Sequence, residues 1–120
     1  MEVMIQHKKL SVNDKVLLYD GEKCRLVSLG DVRYFETFGN YSKTYFNDGM
    51  LVINRTLNYL DSKLPDEYFF RANRQFIINL SHVSGVAAIG SAAFRVIMSC
   101  GKEIKISRRR SQHFRDTLIL

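Results

Sequence analysis

The feature that most constrains the fold is the rhythm of the chain, in which short aromatic and β-branched runs are cut repeatedly by Gly, Asn or Asp. Residues 15–19 and 24–28 flank Asp20-Gly21-Glu22-Lys23, a hairpin with an Asp-Gly turn signal. Residues 32–38 and 41–46 flank Gly39-Asn40, a second and tighter hairpin, and Asn47-Asp48-Gly49 turns into an apolar run at 50–53. The period then changes. Leu57, Leu60 and Leu64 recur at three- and four-residue steps, with Asn54 or Thr56 as N-cap and Pro65 as the stop. That spacing predicts a short helix over about 55–63, lying on the core. Beyond the polar segment 71–75 come an apolar run at 76–78, strands at 83–89 and 93–99, and a strand at 103–106. Ser107 then caps a terminal helix on which Phe114 and Leu118 share a face. The class is mainly β with two short helices, and hairpins of this size build a sandwich or a stack of small antiparallel sheets.

With 120 residues there is room for one domain. The 46% hydrophobic and 25% charged content excludes a disordered tail, a collagen-like chain or a disulfide scaffold. Residues 1–14 are expected to be a linker or N-terminal extension, with the domain occupying 15–120. No run approaches the roughly 18–20 apolar residues of a membrane span, and the start, Met1-Glu2-Val3-Met4, is unlike a signal peptide. The expectation is a cytoplasmic protein with no membrane partner. Cys24 and Cys100 belong to no C-x-x-C pattern and read as free thiols packed in or near the core. His7, His82 and His113 lack ligand spacing, so neither a metal nor a cofactor is expected.

Charge is segregated along the chain. Residues 1–68 hold nine Lys or Arg against ten Asp or Glu, whereas residues 69–120 hold nine against two, Glu103 and Asp116. Self-repulsion of this kind destabilises a compact state, and the usual reason for keeping it is a polyanionic partner.

No catalytic constellation is visible: G-x-S-x-G, H-E-x-x-H, the Walker loop and G-x-G-x-x-G are all missing from the sequence. Two basic segments stand out instead. Arg71-Ala72-Asn73-Arg74-Gln75 places planar forks and amides on a hydrophobic frame. Arg suits the O6 and N7 of guanine, and Asn or Gln the N6 and N7 of adenine. The bland alternative is a loop whose Arg71 or Asn73 bonds its own backbone. Arg108-Arg109-Arg110 follows the cap Ser107, where positive charge opposes the helix dipole but suits a bound phosphate. Its bland alternative is pairing with the acids of 61–67. A weaker candidate is the turn at 38–43, whose Asn40, Ser42 and Lys43 carry polar groups that could touch DNA.

The run from Tyr68 through Arg71-Ala72-Asn73-Arg74-Gln75 to Asn79 resembles the LytTR DNA-binding domain of bacterial transcriptional regulators, which typically reads F-x-R-x-H-R/N-S, three hydrophobic residues and N here. Asp31-Val32-Arg33-Tyr34-Phe35-Glu36 resembles that family's D-I-x-Y-x-E strand, and Ile106-Ser107-Arg108-Arg109 its terminal V-S-R-R. The resemblance spans about 15–118. It implies an elongated stack of about ten short strands, with loops entering successive major grooves of a direct-repeat site in double-stranded DNA. It suggests base reading by Arg74 and Arg109, contact from Asn40 to Lys43, phosphate contact at Gln75, and Arg71 holding the loop. It also allows a homodimer on DNA, and a receiver domain or sensor kinase outside this chain. The family's His is Asn73 here and its Ser is Gln75, so the preferred sequence is expected to differ.

Two competing readings stand beside this one. An RNA or single-strand binder would need Tyr34, Phe35, Phe69 and Phe70 exposed for base stacking. A protein-interaction module would keep its partner after loss of the arginines.

Overall fold

The computed structural model describes residues 9–119, and so His7 and residues 1–8 of the expected linker lie outside the described residues. Among the described residues, ten strands form three antiparallel sheets. Strands β1 (Lys15–Tyr19) and β2 (Cys24–Ser28) pair as a two-stranded sheet. The central sheet contains β3 (Val32–Phe38), β4 (Tyr41–Phe46), β5 (Gly49–Ile53), β6 (Phe69–Arg71) and β7 (Phe76–Asn79), in the order β5-β4-β3-β7-β6. Strands β8 (Val83–Ile89), β9 (Ala93–Met98) and β10 (Glu103–Ile106) form the third sheet. Helices α1 (Leu57–Lys63) and α2 (Arg108–Leu118) complete the stack, which measures 49 × 35 × 25 Å.

Strand alternation makes two cores from one central sheet. Successive side chains point to opposite faces. Phe35, Phe69 and Ile77 therefore enter a cluster with Leu18, Val27, Leu57 and Leu60 under the two-stranded sheet and α1. Their neighbours Tyr34, Phe70 and Ile78 enter a second cluster with Val96, Met98, Ile104 and Phe114 under the third sheet and α2. This explains the adjacent apolar pairs in the sequence: a sheet covered on both faces has no polar side to alternate with. Each fully buried side chain of this size contributes about 1.5–3 kcal/mol.

Local chemistry sets the ends of the elements. Gly39, with φ of +64°, occupies the left-handed region at the β3–β4 tip, where a side chain would be strained. The Thr56 hydroxyl accepts from the Tyr59 N–H at 3.2 Å, and the Ser107 hydroxyl from the Arg110 N–H at 3.2 Å. Two short 3₁₀ turns, Leu29–Asp31 and Leu80–His82, are not marked by the apolar periodicity. They meet across the sheet junction, where buried Asn79 donates to the Val32 carbonyl at 2.8 Å and His82 Nε2 lies 2.8 Å from the Gly30 carbonyl.

One expectation changes. Cys24 and Cys100 are free but exposed, because each sits beside a turn at the end of a strand and not on a core face. On α2, Phe114 is buried in the second core, whereas Leu118, one turn on, is 44% exposed. Residues 9–14 lie along the domain, with the Leu10 N–H donating to the Lys63 carbonyl and the Gly30 N–H to the Val12 carbonyl. A Cβ on Gly30 would come within 3.2 Å of the Val12 side chain, so glycine permits this close approach.

Candidate nucleic-acid interface

The two basic segments come together because loop 72–75 is bonded to the strand leading into α2. The Ser107 N–H donates to the Ala72 carbonyl at 2.9 Å, and Asn73 Nδ2 donates to the Lys105 carbonyl at 2.6 Å. Between them is a cleft of about 160 Å³ lined by Arg71, Asn73, Arg74, Ser107, Arg109 and Arg110. A neighbouring hollow is lined by Thr37, Asn73, Arg74, Gln75 and Ser107. Neither is lined by an acid among the described residues. Among the described residues, the ion pairs are Lys9–Asp66, Arg25–Asp48 and Arg95–Glu103, so the acids of 61–67 do not neutralise Arg108–Arg110.

Within this cleft the polar side chains divide into those spent on the scaffold and those left outward. Arg71 is the scaffold residue. Its Nε donates to the Asn73 carbonyl at 2.7 Å, Nη2 to the Arg74 carbonyl at 3.1 Å and Nη1 to Asn58 Oδ1 at 3.1 Å. Burial lowers its pKa from the ordinary arginine value; Asp61 opposes the shift and Arg110 adds to it. Asn73 is likewise occupied. Its Oδ1 accepts from the Gln75 and Phe76 N–H groups at 2.7 and 3.1 Å while Nδ2 holds Lys105. An amide so engaged has no free edge for bidentate adenine recognition, which corrects the reading of Asn73 as a base reader. Arg74 and Gln75 remain exposed with no side-chain hydrogen bond among the described residues.

Helix α2 is anchored on two rings, Phe70 and Phe94, the latter 5.3 Å from Phe114. Phe70 packs against Phe114 edge-on at 5.3 Å and against the stacked His113 ring at 5.6 Å, and the Arg110 guanidinium lies 4.9 Å from its centroid. Arg110 Nε also donates to the Arg71 carbonyl at 3.0 Å. Positions 110, 113 and 114 thus face the protein, and helical geometry turns Arg108 and Arg109 outward, where both are exposed. Arg110 orders the cleft wall through Nε and the ring contact.

The hairpin tip lies at the same end of the central sheet, because the Thr37 N–H donates to the Gln75 carbonyl at 2.9 Å and Phe38 pairs with Tyr41. Asn40 is exposed, and Lys43 is half-buried with Nζ 4.8 Å from the Phe38 centroid. Ser42 corrects the expectation: it is fully buried, and its hydroxyl donates to the Arg55 carbonyl at 2.7 Å. Strand register dictates this, since alternate residues of β4 face the core and Ser42 shares that side with Thr44 and Phe46. The same bond brings exposed Arg55 to this end of the sheet.

The family model for the LytTr DNA-binding domain matches residues 22–119. The chain belongs to the LytTR family. It is 26% identical over 104 residues to the sensory transduction protein LytT of Bacillus subtilis, covering 87% of this chain and 43% of that protein. It is 24% identical over 109 residues to the transcriptional regulatory protein YpdB of Escherichia coli, covering 90% and 45%. The LytTR chain therefore spans less than half the length of these curated relatives. A solved LytTr DNA-binding domain from Bacillus cereus superposes with a TM-score of 0.80 at 22% identity, covering 88% of this chain and 97% of that one, and shares its fold. The elongated β stack with two helices is the LytTR architecture. Among the described residues, no helix is long and apolar enough to cross a membrane.

Proposed function

We propose that this LytTR domain binds double-stranded DNA sequence-specifically, as the output domain of a bacterial transcriptional regulator working in the cytoplasm. The observation that carries the reading is the acid-free cleft in which Arg74, Arg109 and Arg110 converge beside the cap of α2. Arg74 and Arg109, both exposed, present planar forks to base edges in the major groove, while Gln75, Arg108 and Asn40 reach phosphates. Lys43 supplies charge from the hairpin tip. One relative, LytT, is named a sensory transduction protein, which supports signal input from a receiver domain or sensor kinase. Two copies on direct repeats, each reading one half-site, would put successive clefts into successive grooves.

Base stacking on the sheet is disfavoured by burial: Tyr34, Phe35, Phe69 and Phe70 are each 6% exposed or less. Selection from a random duplex library, followed by a salt titration on the selected site, tests the reading. Neutralising about four to six phosphates gives a slope of log K against log salt near −4 to −5. Enrichment of no duplex sequence, or affinity nearly independent of salt, would overturn it.

A further inference from the structure

A second groove, of about 330 Å³ and sharing no lining residue with the cleft, opens between β1, β5, α1 and the segment around Leu10. Its floor is apolar, built from Leu18, Leu29, Phe35, Ile53, Leu60 and Leu64, all nearly buried in the first core. Its rim is cationic. Arg55 and Lys63 both line it, and both lie against Tyr59, at 4.6 and 5.9 Å from the ring centroid. Among the described residues, no acid lines the groove. Neither Arg55 nor Lys63 has an ion-pair partner among the described residues, although Asp66, close by in sequence, is taken by Lys9 at 2.7 Å.

Two like charges gathered on one ring, at the mouth of an apolar hollow, make a site with two distinct ends. Binding pockets for small molecules typically have this volume, an apolar lining and a few polar groups that fix orientation. An apolar body would displace water from the leucine floor, and an anionic head would sit between the guanidinium and the ammonium. We propose that this groove binds a small amphiphilic carboxylate, an acyl or arylalkyl chain ending in a carboxylate, at a site separate from the DNA-facing cleft. Charge complementarity favours the anion over a neutral amphiphile, and the volume favours a small molecule over a folded partner.

The test is an NMR titration of the ¹⁵N-labelled full chain with decanoate below its micelle-forming concentration, with decanol as the neutral control. Saturable shifts centred on Val16, Leu18, Leu60 and Lys63, with weaker binding of decanol, are expected. Lys63→Gln should weaken decanoate about two- to fivefold while leaving decanol unchanged, as loss of one exposed charge contact does. Val16→Phe, which narrows the groove from a half-buried strand position, should weaken both ligands. Shifts confined to loop 72–75 and the start of α2 would mean that the anion binds only the basic cleft, and would overturn the proposal. Equal affinity for decanoate and decanol, or no saturation, would do the same. Saturation only after removal of residues 1–8 would assign the groove to the chain's own N-terminus and would equally overturn it.

Discussion

Replacing Asn73 by Ala separates a residue that builds the DNA-facing surface from one that reads bases. The Asn73 amide accepts from two backbone N–H groups and donates to the Lys105 carbonyl, so truncation removes three hydrogen bonds at once. A net value of about 0.5–1.5 kcal/mol applies to each such bond. Water reaches this half-buried site and replaces part of the loss, which brings the expected destabilisation to about 2 kcal/mol. Because the loop also orients Arg74, affinity should fall more on the selected duplex than on a random one, with the preferred bases unchanged. Asn73→Asp keeps the two acceptor bonds and loses only the donor to Lys105, so its stability loss should be about 1 kcal/mol. Urea denaturation gives the stability, and fluorescence anisotropy on the two duplexes gives the affinity. Unchanged stability in Asn73→Ala, together with an altered base preference, would refute the structural role.

Arg109→Ala should cost about 1–3 kcal/mol on the selected duplex and far less on a random one, as loss of a bidentate base contact does; equal losses in anisotropy would make Arg109 a phosphate clamp. Thr44 is fully buried, and its hydroxyl has no hydrogen-bond partner among the described residues. Thr44→Val should therefore stabilise the domain, by about 1 kcal/mol in urea denaturation, and a loss of stability would show the hydroxyl to be satisfied. Burial pushes the Tyr34 phenol up to about 12, with Tyr45 adding to the shift. A phenol whose folded pKa lies above its unfolded value of about 10 stabilises fully below pH 10 and loses that contribution as pH rises toward 12. Ultraviolet titration of wild type against Tyr34→Phe should show one phenol ionising near 12, and ionisation at an ordinary pH would contradict the burial.

Much of the fold could be read from residue order because turns and caps are local chemistry. Asp20-Gly21, Gly39-Asn40 and Gly90-Ser91 break the strands where the structure turns, and Ser107 and Thr56 cap the helices assigned to them. The 3₁₀ turns at 29–31 and 80–82 escaped because a three-residue turn has no apolar period to detect. At the site, the basic character of loop 72–75 and of the start of α2 was legible from charge and from the family pattern, but not the bonds that join them. Which polar side chains face outward was not. Ser42 and Asn40 look alike as residues of a polar turn, yet strand register buries one and exposes the other. Asn73 and Gln75 carry the same functional group, but only the shorter side chain is bonded to the loop's own N–H groups.

The central claim is that the cleft between loop 72–75 and the start of α2 is the surface that meets duplex DNA. The most direct test is an NMR titration of the ¹⁵N-labelled domain with its selected duplex, in wild type and in the Arg74→Ala, Arg109→Ala double variant. The account predicts the largest amide shifts at 73–75, 107–110 and the 38–41 tip, lost in the double variant while its spectrum stays folded. Shifts centred instead on the β1–β2 sheet or the β8–β9 hairpin, unchanged in the double variant, would contradict it.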